Sequence, residues 1–358
     1  MAKHIRTDRR KFVVGGLAAA RSLVSWPLIR GTAHAQQKAE HTMIFAHTFS
    51  QATEKYVVTG IDLFKQLAEK YAQGRLLVDV HDGGKLGGQN VLPQKVQQGA
   101  VQACQLSMQN FTPFSEAYNV LDFPYLFASN EAFERFLEHP FFMESTLGSE
   151  PASKGFKVLG GMWANSGLRV LGISKKVNRE ARLPSDLKGI KIRVTTSKVE
   201  QQAFALTPGN PVAVNWAETY QAMQQGTVDA LNVGLGPLSS ARIHETIGTA
   251  TRLNMSFNAH VTVVGKKWFD ALPAAMRDAI ERAARESWAF QKSEQRKAND
   301  LMWAEWKTAG IKIIDLTPDE RRQWIAAVGH QRPEWNEWKE RYGKALYERI
   351  AELGQKLA

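Results

Sequence analysis

Cysteine is almost absent from this sequence of 358 residues, in which Cys104 is the only one. A single thiol cannot form an internal disulfide, so the folded chain must be stabilised by packing. We therefore expect Cys104 to be buried as a small apolar side chain. Beyond the N-terminal segment, no apolar run approaches the roughly 20 residues that a membrane-spanning helix needs.

Short catalytic motifs are absent as well. The sequence contains no HExxH, no CxxC and no GxSxG, which mark zinc hydrolases, thiol redox or metal sites and serine hydrolases. The glycine-rich segment 83–88 (GGKLGG) matches neither a P-loop nor the full GxGxxG of a dinucleotide site. The nine histidines are scattered without metal-ligand spacing. These absences favour a binding protein over an enzyme, and they predict neither a metal site nor a cofactor.

The first 35 residues are ordered like a secretory signal peptide. Residues 1–11 are basic, residues 12–29 are mostly apolar or small, and residues 33–35 (AHA) form a small-x-small cleavage site. An uncleaved membrane anchor is the alternative. The longest uninterrupted apolar run there has only about nine residues, far short of a bilayer span. We expect cleavage after Ala35 and export to the periplasm.

The adjacent Arg9 and Arg10 indicate the twin-arginine export route. Two residues depart from the usual pattern of such a signal. Asp8 stands where Ser or Thr is commoner, and Arg21 interrupts the apolar stretch.

The positive charge of the sequence is concentrated in this segment. The whole chain carries +11, and residues 1–35, with seven Lys or Arg and one Asp, contribute +6 of it. The remaining 323 residues therefore carry about +5. They contain no basic stripe interleaved with aromatic residues and no zinc-finger or RNA-binding signature. Nucleic acid is not an expected partner.

Strands and helices alternate along the rest of the chain. Apolar periodicity and turn residues predict strands over residues 42–48, 75–81, 103–108, 157–163, 168–174, 190–194 and 228–232. They predict helices over residues 54–73, 90–99, 198–206 and 218–225. This order of elements favours a mostly parallel α/β sheet in each of two regions.

The C-terminal third does not show this alternation of strands and helices. Residues 273–309 have helical character with no internal Gly or Pro, and a helix of that length spans about 55 Å. Such a helix is longer than one small lobe, so it is expected to lie across two lobes. The aromatic residues Trp324, Trp335, Trp338 and Tyr342 are spaced mostly as packing residues of later helices.

The most informative stretch extends from Leu183 to Asp229. Residues 183–194 read LPSDLKGIKIRV, residues 211–212 read PV, and residues 218–229 read ETYQAMQQGTVD. This series resembles the solute-binding proteins of TRAP transporters (tripartite ATP-independent periplasmic transporters, DctP family). Residues 86–89 (LGGQ), 96–100 (VQQGA) and 122–127 (DFPYLF) extend the resemblance in the same order.

The resemblance implies an α/β periplasmic binding protein fold with two lobes, a cleft between them, mixed sheets and a long C-terminal helix crossing both lobes. It divides the chain into residues 36–160 as lobe 1, completed by about 250–290, and residues 161–249 as lobe 2, completed by parts of 290–330. Residues 331–358 would form a C-terminal helical segment. The family delivers its ligand to a permease made of separate small and large membrane subunits.

The resemblance also implies a ligand-binding arginine. In this family the Arg of the Lys-x-Arg strand pairs with a ligand carboxylate, and that position is Arg193 here. A guanidinium presents paired donors that match the two oxygens of a carboxylate. Arg169 matches a second family arginine near the site, with a structural ion pair as its alternative role. A small organic acid is therefore the expected ligand.

One departure from the family pattern bears on the second ligand contact. Many members have an Asn at the position that Val233 occupies, and here the Asn comes one residue earlier, as Asn232. Neighbouring side chains of a strand face opposite sides, so a shift of one residue reverses the facing.

Several aromatic and polar residues complete the predicted site. Trp163 and Trp216 offer a flat apolar face and one donor each, with core packing as the alternative. The polar candidates are Asn215, residues 195–197, Gln109 and Asn110. Two other functions remain open: an exported α/β enzyme such as a hydrolase, and a binding protein for a signalling receptor or an ATP-driven importer. The sequence does not decide whether a metal ion bridges ligand and protein, as in some members of the family.

Overall fold

The structure, a computed structural model, describes residues 39–50, 52 and 55–358, so the predicted signal peptide and its cleavage site lie outside the described residues. The strands of the described chain are β1 (His41–His47), β2 (Leu76–His81), β3 (Ala103–Ser107), β4 (Phe156–Val158), β5 (Ala164–Leu168), β6 (Val170–Ser174), β7 (Lys191–Val194), β8 (Asn210–Ala213), β9 (Ala230–Val233), β10 (Ile247–Thr251), β11 (Phe257–Gly265) and β12 (Lys312–Ile314).

Helices connect and cover these strands. They are α1 (Ile61–Tyr71), α2 (Leu92–Gln97), α3 (Met108–Phe111), α4 (Asn130–Glu138), α5 (Pro140–Glu144), α6 (Thr146–Ser153), α7 (Lys198–Ala205), α8 (Thr219–Gln225), α9 (Leu235–Ser240), α10 (Lys266–Asp270), α11 (Ala274–Thr308), α12 (Pro318–Val328), α13 (Asn336–Tyr342) and α14 (Lys344–Lys356). Most predicted elements are present within a few residues. The helix expected from residue 54 begins at Ile61, because Gly60 has a left-handed backbone with φ 72°.

The first sheet has the strand order β2-β1-β3-β11-β4, with β5 also paired to β11. Strand β1 runs parallel to β2 and β3, whereas β11 runs antiparallel to β3, β4 and β5. All nine residues of β11 are buried, polar ones included. Its sequence therefore lacks the alternation that marks a half-buried strand, and the apolar pattern does not predict it.

The second sheet has the strand order β12-β10-β6-β9-β7-β8. Strand β7 runs parallel to β8 and β9, and β10 runs parallel to β12. Strand β6 runs antiparallel to β9 and to β10. Three of the five pairings in the second sheet are parallel, but only two of the five in the first are. The expectation of a mostly parallel sheet is therefore wrong for the first sheet, while the mixed α/β sheets implied by the resemblance are confirmed.

The antiparallel pairings arise where the chain passes from one sheet to the other. Strand β5 ends at Leu168 in the first sheet, and β6 begins at Val170 in the second. Strand β10 ends at Thr251 in the second sheet, and β11 begins at Phe257 in the first. Both passages lack the helical crossover that connects parallel strands of one sheet. The antiparallel pairings described above all involve β6 or β11, the two strands that follow these passages. Arg169 is the single residue between β5 and β6.

Helix α11 packs against the cores of both sheets. Its first half contributes Met276 and Ile280 to a core shared with β1 and β2. Its second half contributes Met302 and Trp306 to a core shared with β6 and β9. The helix has 35 residues, about 50 Å at the α-helical rise. The predicted long helix lying across both halves of the fold is confirmed.

The C-terminal aromatic residues are packing residues, as predicted. Trp324 and Trp335 are fully buried, and Tyr342 is nearly so. Each indole donates to a backbone carbonyl, Trp324 to Arg182 at 2.9 Å and Trp335 to Val328 at 2.9 Å. Cys104 is also buried and unpaired.

Strand β11 joins the first sheet and β12 the second, although both lie in the C-terminal third of the chain. The boundaries of the two lobes stay a prediction. Within the described residues, no helix combines the length and apolar character needed to cross a membrane.

Candidate functional site

A narrow cavity is lined by residues from both sheets, and the space between these residues that no atom occupies, open solvent included, is about 320 Å³. Elements of both sheets contribute to its wall. The lining residues are Phe49, Gln89, Ser107, Asn110, Arg169, Arg193, Thr195, Trp216, Val233, Pro237, Asn258 and His260. Four of the eight predicted site residues are in this wall: Arg193, Arg169, Trp216 and Asn110.

Arg193 lies on β7, one residue before the strand ends, and its side chain is almost fully buried. Among the described residues, its hydrogen bonding is limited to one donation from Nε to the carbonyl oxygen of Val214, at 3.0 Å. Its guanidinium lies 5.7 Å from the centre of the Trp216 ring. Burial lowers the pKa of Arg193 to about 10; the charge of Glu200 partly offsets this effect, and the charge of Arg169 adds to it. The guanidinium is still protonated at neutral pH.

Arg169 is the second buried cation of the cavity, and it is bound to protein groups on several sides. Its Nη1 donates to Glu200 Oε1 at 2.6 Å and to the carbonyl oxygen of Asn232 at 3.1 Å. Its Nε donates to the carbonyl oxygen of Phe257 at 3.1 Å. Arg169 therefore ties together β9, β11 and α7 at the point where the chain passes from one sheet to the other.

Glu200 holds this arrangement from the first turn of α7. The backbone N–H of Glu200 donates to the side chain of Ser197, which caps the helix. Its Oε2 accepts a hydrogen bond from the backbone N–H of Thr195 at 2.8 Å and another from the Thr195 hydroxyl. Sequence reasoning missed Glu200. The Ser-x-x-Glu pattern of residues 197–200 was the available signal, although it predicts a helix cap rather than an ion pair.

A further carboxyl group is buried close to this pair. Asp122 accepts a hydrogen bond from Gln109 Nε2. Burial raises the pKa of Asp122 to about 6, an effect that the charge of Arg169 partly offsets. Gln109 therefore faces Asp122 and the carbonyl oxygen of Phe257, and it does not line the cavity.

Asn110 connects the two sides of the cavity. Its Nδ2 donates to Gln89 Oε1 at 3.0 Å, and its Oδ1 accepts from the Thr196 hydroxyl at 3.4 Å. Asn215 lies just outside, in a larger groove that also includes Trp216 and Asn110. Its Nδ2 donates to Glu218 Oε1 at 3.4 Å.

Two further predicted residues lie away from the cavity. Trp163 is fully buried in the core beneath the first sheet, with its ring centre 4.8 Å from that of Phe142. Asn232 is fully buried, and its Nδ2 donates to Ser256 Oγ at 3.4 Å. Val233, the next residue of β9, lines the cavity instead, as the alternation of a strand requires.

The cavity contains residues that sequence reasoning did not select. His260 is the clearest case, because it lies on β11, the strand that the apolar pattern does not predict. Burial lowers the pKa of His260 to about 3, and the Arg169 charge contributes. The ring is therefore neutral at pH 7, and it packs edge-on against Phe49 at 4.9 Å. Across the described part of the chain, no group of three or more His, Cys, Asp or Glu could hold a metal ion.

Comparison with known sequences identifies one family. The sequence profile of the bacterial extracellular solute-binding proteins of family 7 (DctP) matches residues 45–340. The C4-dicarboxylate-binding periplasmic protein DctP of Rhodobacter capsulatus is 28% identical over 301 residues, covering 84% of this chain and 86% of that protein. The 2,3-diketo-L-gulonate-binding periplasmic protein YiaO of Escherichia coli is 26% identical over 297 residues, covering 82% and 86%.

Solved structures agree with this result. A TRAP periplasmic solute-binding protein from Pseudomonas aeruginosa with bound L-malate has a TM-score of 0.74 and 26% identity, covering 80% of this chain and 97% of that one. A sugar acid binding protein from Advenella mimigardefordensis in complex with galactonate has a TM-score of 0.82 and covers 90% and 100%, and at 22% identity it shows the fold alone.

Proposed function

This chain belongs to the bacterial extracellular solute-binding proteins of family 7, and on that premise we propose that its cavity binds a small organic carboxylate for delivery to a TRAP-type permease. Proteins of this family bind solutes and do not convert them, so the expectation of a binding protein rather than an enzyme is confirmed. The L-malate of a structural relative and the C4-dicarboxylates and 2,3-diketo-L-gulonate of the sequence relatives support an acid as the ligand class.

The observation that carries the proposal is the state of Arg193. Its side chain is 2% exposed, it lines the cavity, and a single backbone carbonyl is its hydrogen-bond partner in the described chain. A buried charge without a direct ion-pair partner is costly, and a carboxylate in the cavity reduces that cost through charge-assisted hydrogen bonds. We assign Arg193 as the anchor of the ligand carboxylate.

The other lining residues take supporting roles in this proposal. Arg169 adds positive potential and holds the wall in place through Glu200. Trp216 covers the Arg193 guanidinium, and Asn110 closes the cavity against Thr196. Asn215 would contact a ligand only at the entrance. Trp163, Gln109 and Asn232 act as structural residues.

The proposal includes a location and a partner. The relatives named above are periplasmic proteins, which supports export of this chain. The proposed route is a twin-arginine signal cleaved after Ala35, and it rests on the sequence of residues 1–35. The two lobes, with the boundaries given by the resemblance, would close on the ligand. The closed form would then dock on a permease with separate small and large membrane subunits.

Calorimetric titration of residues 36–358 with a carboxylate panel tests the proposal. We expect at least one acid to bind with one-to-one stoichiometry and to be recovered unchanged. Recovery of a chemically altered acid, or no binding across the panel, would contradict it. Co-purification of the loaded protein with membranes that contain both permease subunits tests the partner, and retention by an ATP-driven importer instead would contradict that part.

A further inference from the structure

The charges around the cavity are nearly balanced before any ligand enters. The cations among the lining residues are Arg193 and Arg169. Glu200 neutralises Arg169 in an ion pair of 2.6 Å in which both side chains are at most 4% exposed. The buried carboxyl of Asp122 also interacts with Arg169. Arg193 forms no such ion pair, although the Glu200 charge also acts on it. Its guanidinium is the one that is left to bind a ligand carboxylate directly.

The groove next to the cavity supplies no further cation. The 17 described residues that line it, which include Thr48, Gln94, Tyr220 and Ile243, contain no Lys, Arg, Asp or Glu. A second carboxylate on a ligand would therefore be partly desolvated without a counter-ion in either space. Burying an ionised carboxylate without a partner is strongly unfavourable.

The polar side chains of the wall are bonded to one another. Gln89 Oε1 accepts from the Ser107 backbone N–H at 2.8 Å and from Asn110 Nδ2 at 3.0 Å, and Gln89 Nε2 donates to Thr48 Oγ1 at 3.1 Å. The Thr195 hydroxyl donates to Glu200, and Asn258 Oδ1 accepts from the Gly234 N–H at 3.2 Å. Few acceptors remain for the hydroxyl groups of a sugar acid. Each buried hydroxyl without a partner lowers affinity.

The remaining wall is apolar. Phe49, Trp216, Val233 and Pro237 line the cavity together. Val233 is 3% exposed, and it occupies the position at which the family pattern carries an Asn. These groups favour ligand carbons over ligand hydroxyls.

We infer that the ligand is a small monocarboxylate whose other atoms are mainly apolar, and that dicarboxylates and polyhydroxy acids are discriminated against. This inference rests on the proposed function, because it assumes that Arg193 binds the carboxylate. Glu200 and Val233 are its specificity-determining residues. Glu200 pairs with the charge that a second carboxylate would need, and Val233 places an apolar group where the family pattern carries an amide.

Three acids with the same four-carbon chain provide the test: butyrate, succinate and threonate. Each is titrated calorimetrically into the chain after unfolding and refolding have removed any bound ligand. We expect butyrate to bind at least tenfold more tightly than succinate and than threonate. Hexanoate, adipate and gluconate repeat the comparison for a larger ligand. The inference is overturned if, in a series that binds, the diacid or the hydroxy acid binds as tightly as butyrate or hexanoate, or more tightly.

The outcomes separate this inference from the proposed function. If succinate binds at least as tightly as butyrate and this binding is lost in Arg193→Ala, the proposed function stands and the inference of a monocarboxylate ligand is rejected. Absence of binding by all six acids contradicts both.

Two variants test the mechanism of discrimination. In Glu200→Gln the Arg169 charge becomes available, so the ratio of succinate to butyrate affinity should rise about tenfold. Glu286→Gln, which alters an exposed pair with Arg282, is the matched control and should leave the ratio unchanged. In Val233→Asn the ratio of threonate to butyrate affinity should rise by a similar factor, which provides a test that does not depend on the folding of Glu200→Gln. An unchanged ratio in either folded variant contradicts the role of that residue.

Discussion

Arg169 Nη1 lies 2.6 Å from Glu200 Oε1, and both side chains are buried at the passage from the first sheet to the second. The pair positions the cavity wall, because Glu200 also binds the backbone of Thr195 and Arg169 binds the carbonyl oxygens of Asn232 and Phe257. A side chain selected as a ligand contact thus has a structural partner that fixes its place.

Removing one member of this pair should destabilise the fold strongly. Breaking a buried ion pair typically costs about 3–5 kcal/mol, because the remaining charge is left without a partner. We expect Glu200→Ala to lower the free energy of unfolding by that amount in chemical denaturation. Glu286→Ala, in an exposed pair with Arg282, should cost under about 1 kcal/mol. Similar losses in the two variants would show that burial of the Arg169–Glu200 pair does not matter.

The second half of α11 should depend on Trp306. Its side chain is 1% exposed, it belongs to the core of the second sheet, and its Nε1 donates to Ser239 Oγ at 2.9 Å. We expect Trp306→Ala to reduce stability by about 3–5 kcal/mol, as for other large-to-small core changes. Leu301→Ala, five residues earlier on the same helix and 67% exposed, should change it by less than about 0.5 kcal/mol. Thermal or urea unfolding of both variants decides this.

The decrease in the free energy of unfolding at low pH should depend on His260. Its pKa in the folded chain is about 3, below the ordinary 6.5, so the folded state takes up its proton less readily than the unfolded state. Its contribution to stability is therefore complete above pH 6.5 and is lost as the pH falls from about 6.5 towards 3. The slope is at most about 1.4 kcal/mol per pH unit.

His260→Gln should flatten this loss, as measured by unfolding between pH 7 and pH 4. His47, whose pKa burial lowers to about 4, should retain its own share of the slope. His41→Gln, at the start of β1, is the control. An unchanged acid slope in His260→Gln would refute the assignment.

The sequence identified the elements and residues that have a local pattern. Arg193 was predicted because it lies in a series of residues that resembles the family pattern, and the long helix because residues 274–309 contain no Gly or Pro. Residues whose role depends on distant partners were not predicted. Glu200 has the sequence context of a helix cap, and its ion pair exists only because β5 and β6 place Arg169 beside α7.

Other differences between the sequence predictions and the structure also have physical causes. Strand β11 is buried over its whole length, so it has no polar face to reveal it, and His260 was not selected as a site residue. Trp163 and Gln109 are close along the chain to residues that line the cavity, but their side chains face the core. Asn232 and Val233 illustrate the strand rule directly, because one residue of displacement exchanges the core for the cavity.

The central claim is that Arg193 binds the ligand carboxylate, and calorimetric titration of the tightest-binding acid from the panel into Arg193→Ala, Arg193→Lys and Arg282→Ala tests it most directly. We expect Arg193→Ala to abolish measurable binding and Arg193→Lys to weaken it at least tenfold, since the ammonium lacks the paired donors of the guanidinium. Arg282→Ala, which removes an exposed arginine, should bind like the unaltered chain. Undiminished affinity in Arg193→Ala, with the fold intact by thermal unfolding, would contradict the account.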